Sequence, residues 1–367
     1  MRQDRTGLPI NNPPPWEDIT AYQIWQKKEG LRSIRGFFVE DLNTVEVQPW
    51  ARKGVNGTFI NLEGTGGVND AYICEIPPGK STTPQRHLFE EFIYVVSGRG
   101  ATTVWLDENR KQTFEWGPGS LFSPPLNTWH QHFNGQGDKP ARYMAVTSLP
   151  TVIDLFHNDD FIFHNDFEFR DRFSEAEDFF SGKGTAHTGR VWETNFIPDV
   201  ASFKLQEWKE RGAGGSNAMF EMADNSMGAH VSQFPVGTYK KGHRHGPGAH
   251  VVLLNGFGYS LLWKQGDDFT RVNWKKGSMF VPPDQWFHQH FNAGTEPARY
   301  LAIRWGGRKH RQARSTDMAS VETSVKEGGA QIEYVDEDPR VYEIFKAELA
   351  KVGIEPQMAQ FFPNRNL

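Results

Sequence analysis

Two stretches of this chain place histidines at intervals that could hold a metal ion. In one, Gly237 is followed by His243, His245, Ala249 and Gly256, and then by PPDQWFHQHFN at 282–292. In the other, Gly79 is followed by Gln85, His87, Glu91 and Gly98, and then by PPLNTWHQHFN at 124–134. Gly79 and Gly237, His87 and His245, Gly98 and Gly256, and His130 and His288 are each 158 residues apart. A constant offset across both segments marks a structural duplication. Each residue of one copy can therefore be read against its counterpart, and the differences point to chemistry.

Side chains two apart on a strand share a face, so His243 and His245 converge, as do His288 and His290. Imidazole suits Fe, Zn, Cu, Ni or Mn, and three neutral histidines leave positions open for substrate and oxygen. The counterpart of Glu91 is Ala249, with His250 one residue further on. A regular strand turns His250 away from the metal. A bulge in Gly246-Pro247-Gly248 would re-aim it, so a four-histidine set of His243, His245, His288 and His250 stays open. His290 faces the cavity, but His132 occupies the same place in the first copy. Its role is either a shared structural hydrogen bond or proton transfer to a substrate.

In the first copy the four positions are Gln85, His87, Glu91 and His130. Two histidines and a carboxylate match the set used by non-haem Fe(II) enzymes. A carboxylate inside an apolar barrel is costly unless paired or bound to a cation, so the presence of Glu91 favours a metal over a degenerate copy kept for folding. Glu90 beside it is expected to face solvent. For the second cavity, Tyr259, Leu261 and Trp263 alternate on one strand and are candidate lining. Arg299 and Arg304 are candidate carboxylate forks, with surface salt bridges as the alternative. Met219, Met222 and Met227 read as core filler. Cys74 aligns with Ser232 with no activating neighbour, and GRG and GFG lack the spacing of a phosphate loop.

These residues need many short strands to position them. FIYVV, SGRG and ATTVWL read as strand, turn and strand, and VVLL, NGFG and YSLLW repeat the pattern. ARYMAV at 141–146 and ARYLAI at 298–303 close each unit. Counts of 36 Gly, 22 Pro, 28 Phe and 12 Trp suit a turn-rich β architecture with aromatic interiors. We expect an N-terminal extension over 1–55, with PPPW at 13–16 stiff and extended, and barrels over 56–150 and 216–306. A linker over 151–215 should hold a helix around 171–181. An extension over 307–367 should place VYEIFKAELAKVG on a helix, and RKHRQAR at 308–314 reads as a solvated surface. A net charge of −5 gives no bulk attraction for nucleic acid or anionic membrane. With one cysteine and no apolar run fit for a signal peptide or a bilayer, the expectation is a soluble cytoplasmic protein.

The order glycine, ligand pair, glutamate and glycine, then a proline turn, histidine and asparagine, resembles the two-part motif of the cupin superfamily over about 58–146 and 216–304. The resemblance implies an all-β fold of two tandem cupin (double-stranded β-helix, jelly-roll) barrels with helical extensions. HRH at 243–245 with the His-x-His-x-Asn ending is also similar to gentisate and salicylate ring-cleaving dioxygenases. That similarity implies an Fe(II)-dependent dioxygenase using O₂ on a small aromatic hydroxylated or carboxylated substrate, with His290 assisting proton movement. The alternatives are a non-oxidative isomerase, lyase or decarboxylase using Mn, Zn or Ni, and a small-molecule-binding protein without turnover. A homo-oligomer is expected on general grounds.

Overall fold

The computed structural model describes residues 18–362, so the PPPW expectation lies outside the described residues. Apolar, β-branched and aromatic runs form two double-sheet barrels that repeat one another strand for strand. In the first, an eight-stranded sheet runs in the order Ser33–Ile34, Val55–Ile60, Asp70–Ile76, Ala141–Thr147, Glu91–Ser97, Leu121–Phe122, Phe196–Ile197, with Gln48–Trp50 alongside Val55–Ile60. It faces a three-stranded sheet of Trp129–Asn134, Gly100–Trp105 and Gln112–Trp116. The second barrel has a nine-stranded sheet built on Ser216–Glu221, Gly228–Phe234, Ala298–Arg304, His250–Asn255 and Met279–Phe280. Its facing sheet is Thr270–Lys275, Phe257–Trp263 and Phe287–Asn292. Gly98 and Gly256 turn the hairpins at φ +83° and +93°. A Cβ at either would fall within 2.5 or 2.8 Å of the Cα of Ala141 or Ala298, so only glycine fits beside the closing strand.

The apolar runs are continuous because both faces of the large sheets are buried. Val251 and Leu253 point into the second barrel, while Val252 and Leu254 join a core shared with Ile73, Phe92 and Val146 of the first. Each barrel edge is closed by a piece from outside its own repeat. Phe38–Val39 pairs with Met279–Phe280 of the second barrel, and Phe196–Ile197 pairs with Leu121–Phe122 of the first. Unpaired strand edges are thereby covered. Helix Pro339–Ala350 starts with the Asp338 side chain accepting from the Arg340 amide and buries Val341, Tyr342, Phe345 and Leu349. It packs on the outer face of the small sheet, where Phe345 meets Tyr239 and Phe291. Among the described residues no helix is long and apolar enough to cross a membrane.

Two expectations need correction. Residues 171–181 form turns, and the helices lie earlier, at Leu149–Phe156 and Asp159–Phe163. Phe173 and Phe180 are buried in the first barrel's core, and Phe180 stacks on Phe114 with ring centroids 4.2 Å apart. Anchoring those rings overrides local helix propensity. Glu90 does point away from the cavity, but that side faces the partner barrel rather than water. It is 7% exposed. One carboxylate oxygen accepts from the Ser226 amide (2.7 Å) and Arg172 (3.1 Å), and the other accepts from the Met227 amide (2.8 Å). Replacing Glu90 with Ala leaves Arg172 and two amides without partners. It should lower stability by about 3 kcal/mol, read as an earlier urea midpoint; an unchanged midpoint would show that the carboxylate does not tie the barrels together.

Candidate metal centres and cavities

In each barrel a backbone bridge sets two of the motif positions side by side. Gln85 and His130 exchange amide–carbonyl hydrogen bonds of 3.0 and 2.8 Å, and His243 and His288 do the same at 3.0 and 2.8 Å. The bridge brings the His243 and His288 rings to 4.1 Å between centroids.

At the first centre, His87 Nδ1 donates to the Phe89 carbonyl (2.9 Å) and His130 Nδ1 to the Thr128 carbonyl (3.1 Å). Those bonds fix the tautomers and leave each Nε2 with a free lone pair. Both Nε2 atoms lie 4.0 and 3.9 Å from Glu91 Oε2. All three atoms are buried without a hydrogen-bond partner, and they lie within 4.8 Å of one another. Three orphaned donors aimed at one point fit a transition-metal ion. The other Glu91 oxygen accepts from the Tyr72 hydroxyl. Burial alone would raise the Glu91 pKa, but Lys53, His130 and Tyr72 outweigh it and hold the group below its ordinary value as a carboxylate. Burial first, then His130 and Lys53, keep His87 neutral.

Gln85, expected as a fourth ligand, is engaged elsewhere. Its carbonyl accepts from Lys53 Nζ (2.8 Å) and its amide donates to the Arg52 carbonyl (3.1 Å). Lys53 is 4% exposed and escaped the sequence reading. The signal was present: Trp50 and Trp208, and Lys53 and Arg211, are also 158 apart, so the duplication begins upstream of residues 56 and 216. Beside this centre opens a cavity of about 230 Å³, walled by Trp25, Trp50, Phe59, Tyr72 and Trp129, with Arg52, Lys53, Arg86 and Asp70 among its polar members.

The second centre brings His243, His245 and His288 together with one nitrogen each within 4.8 Å. His245 Nδ1 bonds the Gly246 carbonyl (2.7 Å) and His288 Nδ1 the Trp286 carbonyl (3.2 Å). His290 faces the same cavity, with Nδ1 2.8 Å from Ser260 Oγ, which accepts from Trp274 Nε1 at 3.0 Å. Trp116, Thr102 and His132 repeat that chain at 2.9 and 2.8 Å. The hydroxyl accepts from the indole N–H, and with its own O–H directed to Nδ1 the ring carries its proton on Nε2, facing inward. The shared chain accounts for His290 structurally, and the inward proton leaves it able to donate.

Several candidate positions fall outside the cavity. His250 shares the face of Val252 and Leu254, and Ala249 and Val251 line the cavity in its place. Strand parity therefore wins, and His250 is not in the converging set. Ser260 and Leu262 take the inner face of their strand, so Tyr259, Leu261 and Trp263 turn outward onto the C-terminal helix cluster. Arg299 reaches Gln233 and the Phe203 carbonyl, away from the cavity. Arg304 does line the cavity and is 4% exposed.

Asp70 on the first cavity wall aligns with Gly228 and accepts hydrogen bonds from Asn61 and the Ala71 amide. Burial pushes its pKa up to about 8, against the weaker opposing pull of those bonds. The ordinary value in an unfolded chain is about 4. The folded state therefore binds the proton more tightly, and the stability it contributes at low pH is lost as pH rises from about 4 to about 8. The wild-type thermal midpoint should fall between pH 6 and 8.5 more steeply than that of Asp70→Asn; parallel curves would remove Asp70 as the cause.

Residues 72–147 match the Cupin_2 family model, a cupin domain. The chain is 33% identical over 102 residues to 5-aminosalicylate 1,2-dioxygenase of Comamonas sp; the match covers 27% of this chain and a quarter (25%) of that protein's length. It is 26% identical over 135 residues to auxin-binding protein T85 of Nicotiana tabacum, covering 35% of this chain and 72% of that one. Among solved structures, Lactobacillus farciminis oxalate decarboxylase superposes with a TM-score of 0.49 at 13% identity, over 84% of this chain and 96% of that one. A cupin domain is thus matched on the first barrel, and the second barrel rebuilds the same strands around the same motif positions. The first barrel therefore contains a cupin domain, and its duplication gives the chain a two-barrel, bicupin-like architecture.

Proposed function

We propose that the chain is a metal-dependent dioxygenase acting in its first barrel on a small aromatic substrate bearing a hydroxyl or carboxyl group, with Fe(II) as the metal and O₂ as co-substrate. The observation that carries this reading is the trio of buried, partnerless ligand atoms on His87, Glu91 and His130, beside an aromatic-walled cavity of about 230 Å³ that His87 lines. The sequence pattern had favoured the second barrel for the chemistry. Its cavity is only about 40 Å³, too small for an aromatic ring. The resemblance to 5-aminosalicylate 1,2-dioxygenase supports an aromatic acid as substrate.

The chain's own residues would divide the work. His87, His130 and Glu91 would hold the ion, and Tyr72 keeps Glu91 oriented through its second oxygen. When bound, Fe(II) supplies Lewis acidity and access to O₂ chemistry. Lys53, steadied by Gln85, offers its ammonium to an anionic oxygen of the substrate. Arg86, held over Trp129 at 5.0 Å, is placed for a carboxylate. Trp25, Trp50 and Phe59 exclude water and stack on a ring. The single buried Cys74 suits a reducing compartment and supports a cytoplasmic location.

The auxin-binding relatives favour a second reading, capture of a small aromatic acid without turnover. Oxygen uptake separates the two. Protein loaded anaerobically with Fe(II) should consume O₂ when given 5-aminosalicylate, gentisate or salicylate and yield a ring-opened product. His87→Ala should cut kcat/KM by more than the roughly 10–100-fold typical of losing an outer-shell partner, and His245→Ala should leave turnover in place. The reverse pattern would move the chemistry to the second barrel. Turnover without O₂ by protein holding Mn, Zn or Ni would make it a Lewis-acid enzyme, and binding without product would support the capture reading.

A further inference from the structure

The second cavity differs from the first in a way that an aromatic substrate does not explain. At about 40 Å³ it has room for roughly three waters. Its walls carry positive charge and no carboxylate. Arg211 and Arg304 both line it, each 4% exposed. Lys240, 1% exposed, sits behind Tyr300 and donates to its hydroxyl at 3.2 Å. Ala249 stands where the first barrel has Glu91, so the carboxylate that balances Lys53 there has no equivalent here.

The hydrogen-bond partners of both arginines are neutral. Arg211 Nη1 reaches the Val321 carbonyl (2.9 Å) and Gln331 Oε1 (3.0 Å). Arg304 Nη1 contacts Met318 Sδ at 3.4 Å, and its buried Nε has no partner. Glu322 and Glu221 lie near enough to act on Arg211 and Arg304 respectively, but each is already engaged. Glu322 bonds Arg190 (3.0 Å) and Trp208 (2.8 Å); Glu221 accepts from the amides of Arg308 (2.7 Å) and Lys309 (3.5 Å). Burial lowers both arginines only to about 10, so they stay charged at neutral pH. Buried guanidiniums normally sit against an anion. Any divalent ion on the three imidazoles would add to the uncompensated charge.

We propose that the second cavity binds a small carboxylate or carbonate anion of three or four heavy atoms, held by Arg211 and Arg304 beside His243, His245 and His288. Thr316, Met318 and Val321 close the cavity from the C-terminal segment and set the size limit. The His290 Nε2–H adds an inward donor. This site does not depend on the reaction assigned to the first barrel.

Acetate and benzoate carry the same head group at two sizes, and they test the proposal on the full chain by calorimetry at constant ionic strength. Acetate should bind saturably. Arg304→Gln and Arg211→Gln should weaken it at least about tenfold, the scale of one lost charge-assisted bond. Lys53→Met, in the other barrel, should leave it unchanged. Benzoate should fail to compete. Crystals of the wild-type protein grown with acetate provide a test that needs no variant, with density expected between Arg304 and the His245 ring. Benzoate competing as well as acetate, acetate binding lost in Lys53→Met and retained in Arg304→Gln, or a second cavity empty of acetate in those crystals would each overturn the assignment.

Discussion

Both centres depend on one short piece of backbone pairing. The segment before the large-sheet strand at Glu91 or His250 has no long ladder of its own, yet Gln85 and His243 are tied to His130 and His288 by reciprocal amide–carbonyl bonds. That bridge fixes the separation between two elements distant in sequence. Each ring is then aimed by its own neighbours, because Nδ1 of His130 and His288 bonds the carbonyl two residues earlier. Direction and tautomer come from backbone the barrel has already ordered, so the Nε2 lone pairs need no further side-chain support. Preorganisation of this kind lets a site stay open to a ligand without collapsing.

From the same scaffold the two barrels diverge by charge. The first pairs a carboxylate with an ammonium: Glu91 with Lys53 nearby, and Tyr72 on the second oxygen. The second replaces all three by position, with Ala249, Arg211 and His230. Removing the carboxylate while keeping the cation shifts the local balance by a full unit of charge. The cavities changed with it, from an aromatic-walled chamber to a small pit where two arginines and the histidines sit among apolar side chains. One barrel is thus suited to a ring and the other to a few charged atoms.

Much of this was legible in the sequence. The 158-residue offset carried the duplication, the barrel architecture and the two clusters His243, His245, His288 and His87, Glu91, His130. What it could not supply was which face of a strand is inside. Tyr259 and Ser260 alternate, and periodicity fits either as lining; Ser260 is chosen because its hydroxyl links Trp274 to His290, a bond that depends on two other strands. Glu90 misled for a related reason. Alternation correctly turned it away from Glu91, but a sheet buried on both sides has no solvent face to offer. Lys53 lay upstream of the expected barrel start, so its match to Arg211 was outside the compared segments.

The Gly246-Pro247-Gly248 turn shows why the barrels should be regarded as one mechanical unit. As a bulge it would have re-aimed His250; instead it is where the first barrel docks. The Gly248 amide donates to the Gly64 carbonyl (3.0 Å), and its own carbonyl accepts from Asn69 Nδ2 (2.9 Å). A Cβ on Gly248, which has φ +82°, would fall 2.1 Å from Asn69 Oδ1, and one on Gly64 would fall 2.4 Å from the Val281 carbonyl. The Val281 carbonyl at Gly64, and the Asn69 side chain with the positive φ at Gly248, leave no room for a Cβ, so glycine is required by the contact between barrels. Asn69 leads directly into the strand that carries Asp70 and Tyr72 to the first cavity, and Gly248 sits between His245 and Ala249 at the second. These two hydrogen bonds therefore join the segment that leads into one wall of the first cavity to the segment that leads into one wall of the second.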